Sequence, residues 1–309
     1  MRVFYHYVRQ YFVTEVKGGY LLAIALLLTT CIILQYNFKL TNILVEHHRQ
    51  ELSYYPRAIL LYMLPFGGTL LLYSAFYKKW DVWQNTSFVF LIFCTLGVYA
   101  LRCGVTFHTE FINAHAEVAS KSYWLKVSNQ LVHGGILFLF PFIWWIFRER
   151  KQTQLYGWKY RDVLLRPYFI MLLCLVPLII FASFQQDFLR AYPRFANTFK
   201  DNTGYVWAYG ALFELSYGFD LAMNEFFFRG FIVLAFAKYL GRGVILPMVA
   251  FYVFIHFGKP LGETISSFFG GLVLGIIAYE SKSILGGIIM HVGIAWMMEL
   301  AAGIGRLVH

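Results

Sequence analysis

Tyr20-Leu-Leu-Ala-Ile-Ala-Leu-Leu-Leu-Thr-Thr-Cys-Ile-Ile-Leu-Gln-Tyr36 contains no charged residue. A run of this kind reads as a membrane helix, since about 20 apolar residues at 1.5 Å each cross the ~30 Å hydrocarbon layer. No small-x-small cleavage site follows it, so the spacing predicts an uncleaved first span rather than a signal peptide. Comparable runs recur at 57–77, 87–107, 131–147 and 168–184. Beyond residue 205 they become shorter and interrupted, at 206–223, 226–240, 244–257, 268–280 and 284–304. The runs are continuous rather than alternating, which selects helices over an outer-membrane barrel. The expected fold is therefore all-α, a polytopic integral membrane helix bundle of about eight to ten membrane helices.

The composition of the 309-residue chain agrees, with 59% hydrophobic and only 14% charged residues. A soluble domain carries roughly 45–50% apolar and about 25% charged residues. The net charge of +10 sits mostly in connectors between apolar runs, the arrangement expected for contact with anionic membrane lipid rather than nucleic acid. The densest basic connector holds Arg148, Arg150, Lys151, Lys159, Arg161 and Arg166, and basic connectors stay in the cytoplasm. Counting back four spans places the N-terminus, with Arg2, Arg9 and Lys17, and the connector with Lys78 and Lys79 on that same side. The expected location is a bacterial cytoplasmic membrane with the N-terminus cytoplasmic. Cys31, Cys94, Cys103 and Cys174 form no CxxC pair and read as small buried hydrophobes.

The chain divides in character near residue 165. Residues 1–164 form an apolar region without evident chemistry, expected to scaffold a site or gate its substrate. Residues 165–309 carry Glu214, Asp220, Glu225, Arg229, His256, Lys259, Glu263, Glu280, His291 and Glu299 within apolar sequence. A charge at the bilayer centre costs at least ~2.5–3.5 kcal/mol, so such groups are paired or functional. In Asn224-Glu225-Phe-Phe-Phe-Arg229-Gly230 the acid precedes the base by four residues, the favourable order for an ion pair on one helical face. His256 closes the run Val249–Phe257 just before Gly258-Lys259-Pro260, and His291 lies inside the last apolar segment. Two imidazoles, a carboxylate and a guanidinium on three apolar segments make a set able to hold and deprotonate water. The same residue types ligate zinc, and zinc is not excluded by the residues themselves. Between the histidines, Ser267, Gly271 and Gly275 form a small-xxx-small stripe that lets helix backbones approach closely.

These motifs resemble the CAAX protease and bacteriocin-processing family of intramembrane proteases. The run NEFFFRG, then YVFIH ending at His256, then FFGGLVLGIIAYESKSILGGIIMH ending at His291, follows its pattern of EExxxR, FxxxH and HxxxN/D on successive membrane helices. The match covers roughly 165–304, and closely 220–295. The resemblance implies a metal-free, glutamate-type endopeptidase cutting a peptide or prenylated-peptide substrate within or beside the membrane. In that scheme Glu225 and Arg229 belong to motif one, His256 to motif two and His291 to motif three.

Three positions depart from the pattern. Asn224 replaces the first Glu of EExxxR, Tyr252 begins the second motif, and Ala295 stands where the third has Asn or Asp. An amide cannot take a proton at neutral pH. Asp220, one turn before Asn224, and Glu263 and Glu299 are therefore candidates to supply the missing carboxylate. Two functions follow as expectations: an endopeptidase whose water is activated by Glu and His, or a non-catalytic relative that binds a peptide, toxin or lipid in the same cavity.

Overall fold

The computed structural model describes residues 2–151, 154–159, 163–199 and 205–308, so Arg161 of the basic connector lies outside the described residues. Among these there is no strand. The longer helices are α1 (Arg2–Thr14), α2 (Gly18–Phe38), α3 (Tyr54–Tyr77), α4 (Thr86–Gly104), α5 (Phe107–His115), α6 (Lys121–Trp144), α7 (Arg166–Ala182), α8 (Val206–Glu225), α9 (Val233–Leu240), α10 (Ile245–Phe254), α11 (Leu261–Ser281) and α12 (Leu285–Val308). Seven stretches among the described residues are long and apolar enough to cross a membrane, and α7 is a shorter apolar helix beside them. One of the seven, Val206–Phe254, is interrupted by the turn Gly241–Val244. The protein is an all-α helix bundle of the integral membrane class.

Local chemistry sets the helix ends. The Asn85 side chain accepts the Phe88 N–H at 3.1 Å at the start of α4, satisfying one of the donors every helix N-terminus leaves open. Lys39, Lys78 and Lys282 take left-handed conformations just after α2, α3 and α11. Each places a cation beside the negative end of a helix dipole.

Helices from the first half pack directly on those of the second. α3 packs on α10, and α6 on α8. The Phe251 ring of α10 lies 5.5 Å from Tyr62, 5.8 Å from Phe66 and 5.2 Å from Tyr99. Offset and edge-on aromatic contacts of this kind add to area burial. At one end of the bundle Arg242 pairs with Glu280 at 2.7 Å, Lys238 with Glu149 at 2.6 Å, and the Ser283 hydroxyl donates to the Lys159 carbonyl at 3.0 Å. The same end carries the contact between the Tyr77 hydroxyl and the Glu15 carbonyl. At the opposite end Arg49 donates to the Cys103 carbonyl at 2.6 Å and Arg306 to the Tyr192 carbonyl at 2.8 Å.

α10 has only 10 residues. It rises ~15 Å, about half of a hydrocarbon layer. The Thr264 hydroxyl, in the first turn of α11, donates to the His256 carbonyl, so His256 stands level with the start of α11. The chain beyond turns through Gly258, whose φ of +91° favours a residue without Cβ, and Pro260 then opens α11.

Candidate active site

The axis of α8 continues past Glu225 through a widened π-helical turn, Phe226–Ile232, before α9 resumes. Such turns are frequent at functional sites, because they re-aim side chains within a continuous helix. Here the turn carries Arg229, while Glu225 ends α8 just before it. Glu225 is completely buried. Its Oε1 accepts from Arg229 Nη1 at 2.8 Å and from His291 Nδ1 at 3.0 Å. Its Oε2 has no hydrogen-bond partner among the described residues.

Gly287 of α12 makes this arrangement possible. A Cβ on residue 287 would lie 2.5 Å from Glu225 Oε2, well inside contact distance. Gly287→Ala is therefore expected to push the carboxylate off His291 and lower stability by about 1–3 kcal/mol, the usual cost of overpacking. Gly270→Ala is the control, since that position has open space around it. Thermal unfolding in detergent checks the pair. Equal melting temperatures would show that the carboxylate has room to move.

Tyr252 joins the remaining groups. Its ring lies 3.8 Å beneath the Arg229 guanidinium, a close cation–π contact, and its centroid is 4.6 Å from that of His256 and 6.3 Å from that of His291. The His256 Nδ1 donates to the Tyr252 carbonyl at 2.7 Å. In the neutral ring this fixes the tautomer, so Nε2 carries the lone pair. The Thr264 hydroxyl donates to the His256 carbonyl at 2.8 Å, and the Tyr36 hydroxyl to the Lys259 carbonyl at 2.6 Å. The small-residue stripe of α11 seats that helix on α10. A Cβ at Gly271 would approach the Tyr252 ring to 3.1 Å, and one at Gly275 would meet Met248 at 2.6 Å.

The structure brings together Glu225, Arg229, Tyr252, His256 and His291. It holds the other candidates elsewhere. Both Asp220 oxygens accept from Arg102 Nη2, at 2.9 and 3.0 Å. Asn224 donates its amide to the Asp220 carbonyl at 2.8 Å, so it is tied back along its own helix. Glu263 accepts from Lys259 at 2.5 Å and from the Tyr192 hydroxyl at 3.3 Å. Glu299 accepts the Arg194 backbone N–H at 2.9 Å and caps the one-turn helix Arg194–Thr198. Each carboxylate has an ionic or backbone partner that accounts for its place in apolar sequence. Ala295 is buried in an apolar cluster with Tyr123, Phe213 and Tyr217.

Sequence reasoning missed Arg102, Tyr36, Thr264 and Gly287. Arg102 ends an apolar run and reads as a boundary charge, yet its partner lies 118 positions away. Among the described residues no three of His, Cys, Asp and Glu converge closely enough to hold a metal ion. What converges is proton-handling chemistry: a carboxylate clamped on one oxygen, an imidazole aligned by it, and a second imidazole with a fixed tautomer.

No curated protein and no solved structure matches the chain. Residues 206–297, the segment holding NEFFFRG, His256 and His291, match the family model described as type II CAAX prenyl endopeptidase Rce1-like, in agreement with the resemblance to the CAAX protease and bacteriocin-processing family.

Proposed function

We propose that the protein is an intramembrane endopeptidase that hydrolyses a peptide or lipid-modified peptide with water activated between His256 and the His291–Glu225 pair. The single observation that carries this reading is the buried chain Arg229–Glu225–His291, with His256 packed against the same Tyr252 ring as His291. In this mechanism His256 Nε2 takes a proton from water while the resulting hydroxide attacks the scissile carbonyl. The tetrahedral intermediate then breaks its C–N bond as the proton held on His256 Nε2 passes to the leaving amine nitrogen, while Glu225 holds His291 by Nδ1 beside the reacting group. Arg229 keeps the carboxylate in place and compensates its charge. We place the N-terminus in the cytoplasm and treat residues 165–309 as the protease-like region, with residues 1–164 supporting it.

The test is cleavage of a membrane-peptide library by purified protein in detergent, comparing wild type with Glu225→Gln, His256→Ala and His291→Ala, with and without a strong chelator. Activity lost in all three variants and retained with chelator supports the reading. Wild-type activity that persists in the three variants would refute it.

A second reading is favoured by two particular residues. Asn224 offers no proton-accepting group and is bonded to Asp220, and Ala295 offers no donor at the third motif. On this reading the cavity binds a peptide, toxin or lipid without cutting it. Asn224→Glu separates the two. In a binding relative it is expected to create cleavage absent from wild type, whereas in an active enzyme it is expected to change an existing rate by about tenfold or less.

A further inference from the structure

The last regular turn of α10 passes into a tighter one. The Ile255 N–H still reaches the Phe251 carbonyl, four residues back, at 3.1 Å. The His256 N–H instead donates to the Val253 carbonyl at 3.0 Å and the Phe257 N–H to the Phe254 carbonyl at 3.1 Å, each three residues back. Tightening of this kind is frequent where an α-helix ends. Here it has a chemical consequence. The Tyr252 carbonyl, which a further α turn would offer to the His256 N–H, is left to the His256 ring, whose Nδ1 donates to it at 2.7 Å. The tautomer of His256 thus depends on which carbonyl its own backbone takes.

Contacts further along the chain hold that arrangement. The His256 carbonyl accepts from the Lys259 N–H at 3.1 Å and from the Thr264 hydroxyl at 2.8 Å. Thr264 is fully buried in the first turn of α11. Its oxygen lies 2.7 Å from the Tyr36 hydroxyl, which also donates to the Lys259 carbonyl at 2.6 Å. Each hydroxyl has one proton to give. Thr264 spends its proton on His256, so that of Tyr36 is shared between the Lys259 carbonyl and the Thr264 oxygen. Tyr36 grips the turn both by its backbone and by the side chain that holds His256.

Tyr36 lies in the last turn of α2, far from the family match at 206–297. α2 packs on α3 and α10, burying Ile24, Leu28 and Cys31. That packing calls for no hydroxyl. The hydrogen-bond partners of the Tyr36 hydroxyl are Lys259 and Thr264.

We infer that Tyr36 is a positioning residue of the reaction: its hydroxyl holds the turn after α10 in the form that leaves the Tyr252 carbonyl to the His256 ring, and so keeps the lone pair on Nε2. This rests on the peptidase reading above and brings a residue of the first half into it. Tyr36 acts through Thr264 and the 256–260 backbone rather than on the substrate.

Tyr36→Phe removes the hydroxyl and keeps the ring. In full-length protein it is expected to lower kcat by roughly tenfold with KM unchanged, since small misplacements of a reacting group are costly. Thr264→Val keeps the side-chain volume without the hydroxyl and is expected to be similarly slow. The double variant should lose less than the product of the two single losses, because both changes loosen one turn. Thr264→Ser keeps the hydroxyl and removes a buried methyl group. It is expected to melt lower yet cleave near the wild-type rate. Rates that follow melting temperature rather than the presence of the hydroxyls would overturn the inference, as would a wild-type kcat in Tyr36→Phe. If wild type cleaves nothing, the peptidase reading fails by itself. The positioning is then read from nitrogen NMR spectra of protein with isotope-labelled histidine, with His256→Asn identifying the His256 signals. Wild type is expected to show one tautomer, protonated on Nδ1, and Tyr36→Phe a mixture of the two. Identical spectra would show that Tyr36 does not position His256.

Discussion

Arg229→Met is expected to destabilise the protein by about 3–5 kcal/mol, because it strands the Glu225 carboxylate in the apolar interior. Both side chains are essentially inaccessible, at 1% and 0% exposure, and their 2.8 Å bond joins adjacent turns of one helix. Glu225→Gln together with Arg229→Met removes both charges and is expected to recover most of the loss, since a buried ion pair replaced by apolar groups of similar size is often neutral. Recovery should be incomplete, because Glu225 also accepts from His291. Denaturant unfolding in detergent, run as a double-mutant cycle, measures the coupling. Losses that simply add would show that the two residues do not act as a pair.

The largest catalytic effect is expected at His256. Removing a positioned acid–base group typically costs ~10²–10⁴-fold in rate, and His256→Ala should fall in that range with little change in KM. His256→Asn separates chemistry from support. Its amide can reproduce the Nδ1 donation to the Tyr252 carbonyl but offers nothing at the position of Nε2. The Asn variant should therefore melt near wild type and be as inactive as the Ala variant. An Asn variant that cleaves at the wild-type rate would remove His256 from the reaction.

The membrane helices were legible because hydropathy over about 20 residues is a strong physical signal, and the Glu225–Arg229 pairing followed from four-residue spacing on one helix. The meeting of Glu225 with His291 could only be suspected. It depends on α12 crossing α8 with Gly287 at the contact, and a glycine's partner is not written in its neighbours. Asp220, Glu263 and Glu299 looked like spare carboxylates because apolar sequence makes every acid conspicuous. Their partners Arg102, Lys259 and the Arg194 backbone are set by packing among separate helices, which local periodicity does not encode. The turn Phe226–Ile232 was likewise invisible, since a π turn has no clear residue signature.

The bond from Tyr36 to the Lys259 carbonyl spans 223 positions. During synthesis, α2 is threaded into the bilayer long before its acceptor has left the ribosome. Until the last helices arrive, the Tyr36 hydroxyl needs another partner, which water or a lipid headgroup can supply. Chain order thus delays completion of the chemistry, since Glu225, His256 and His291 all follow residue 205.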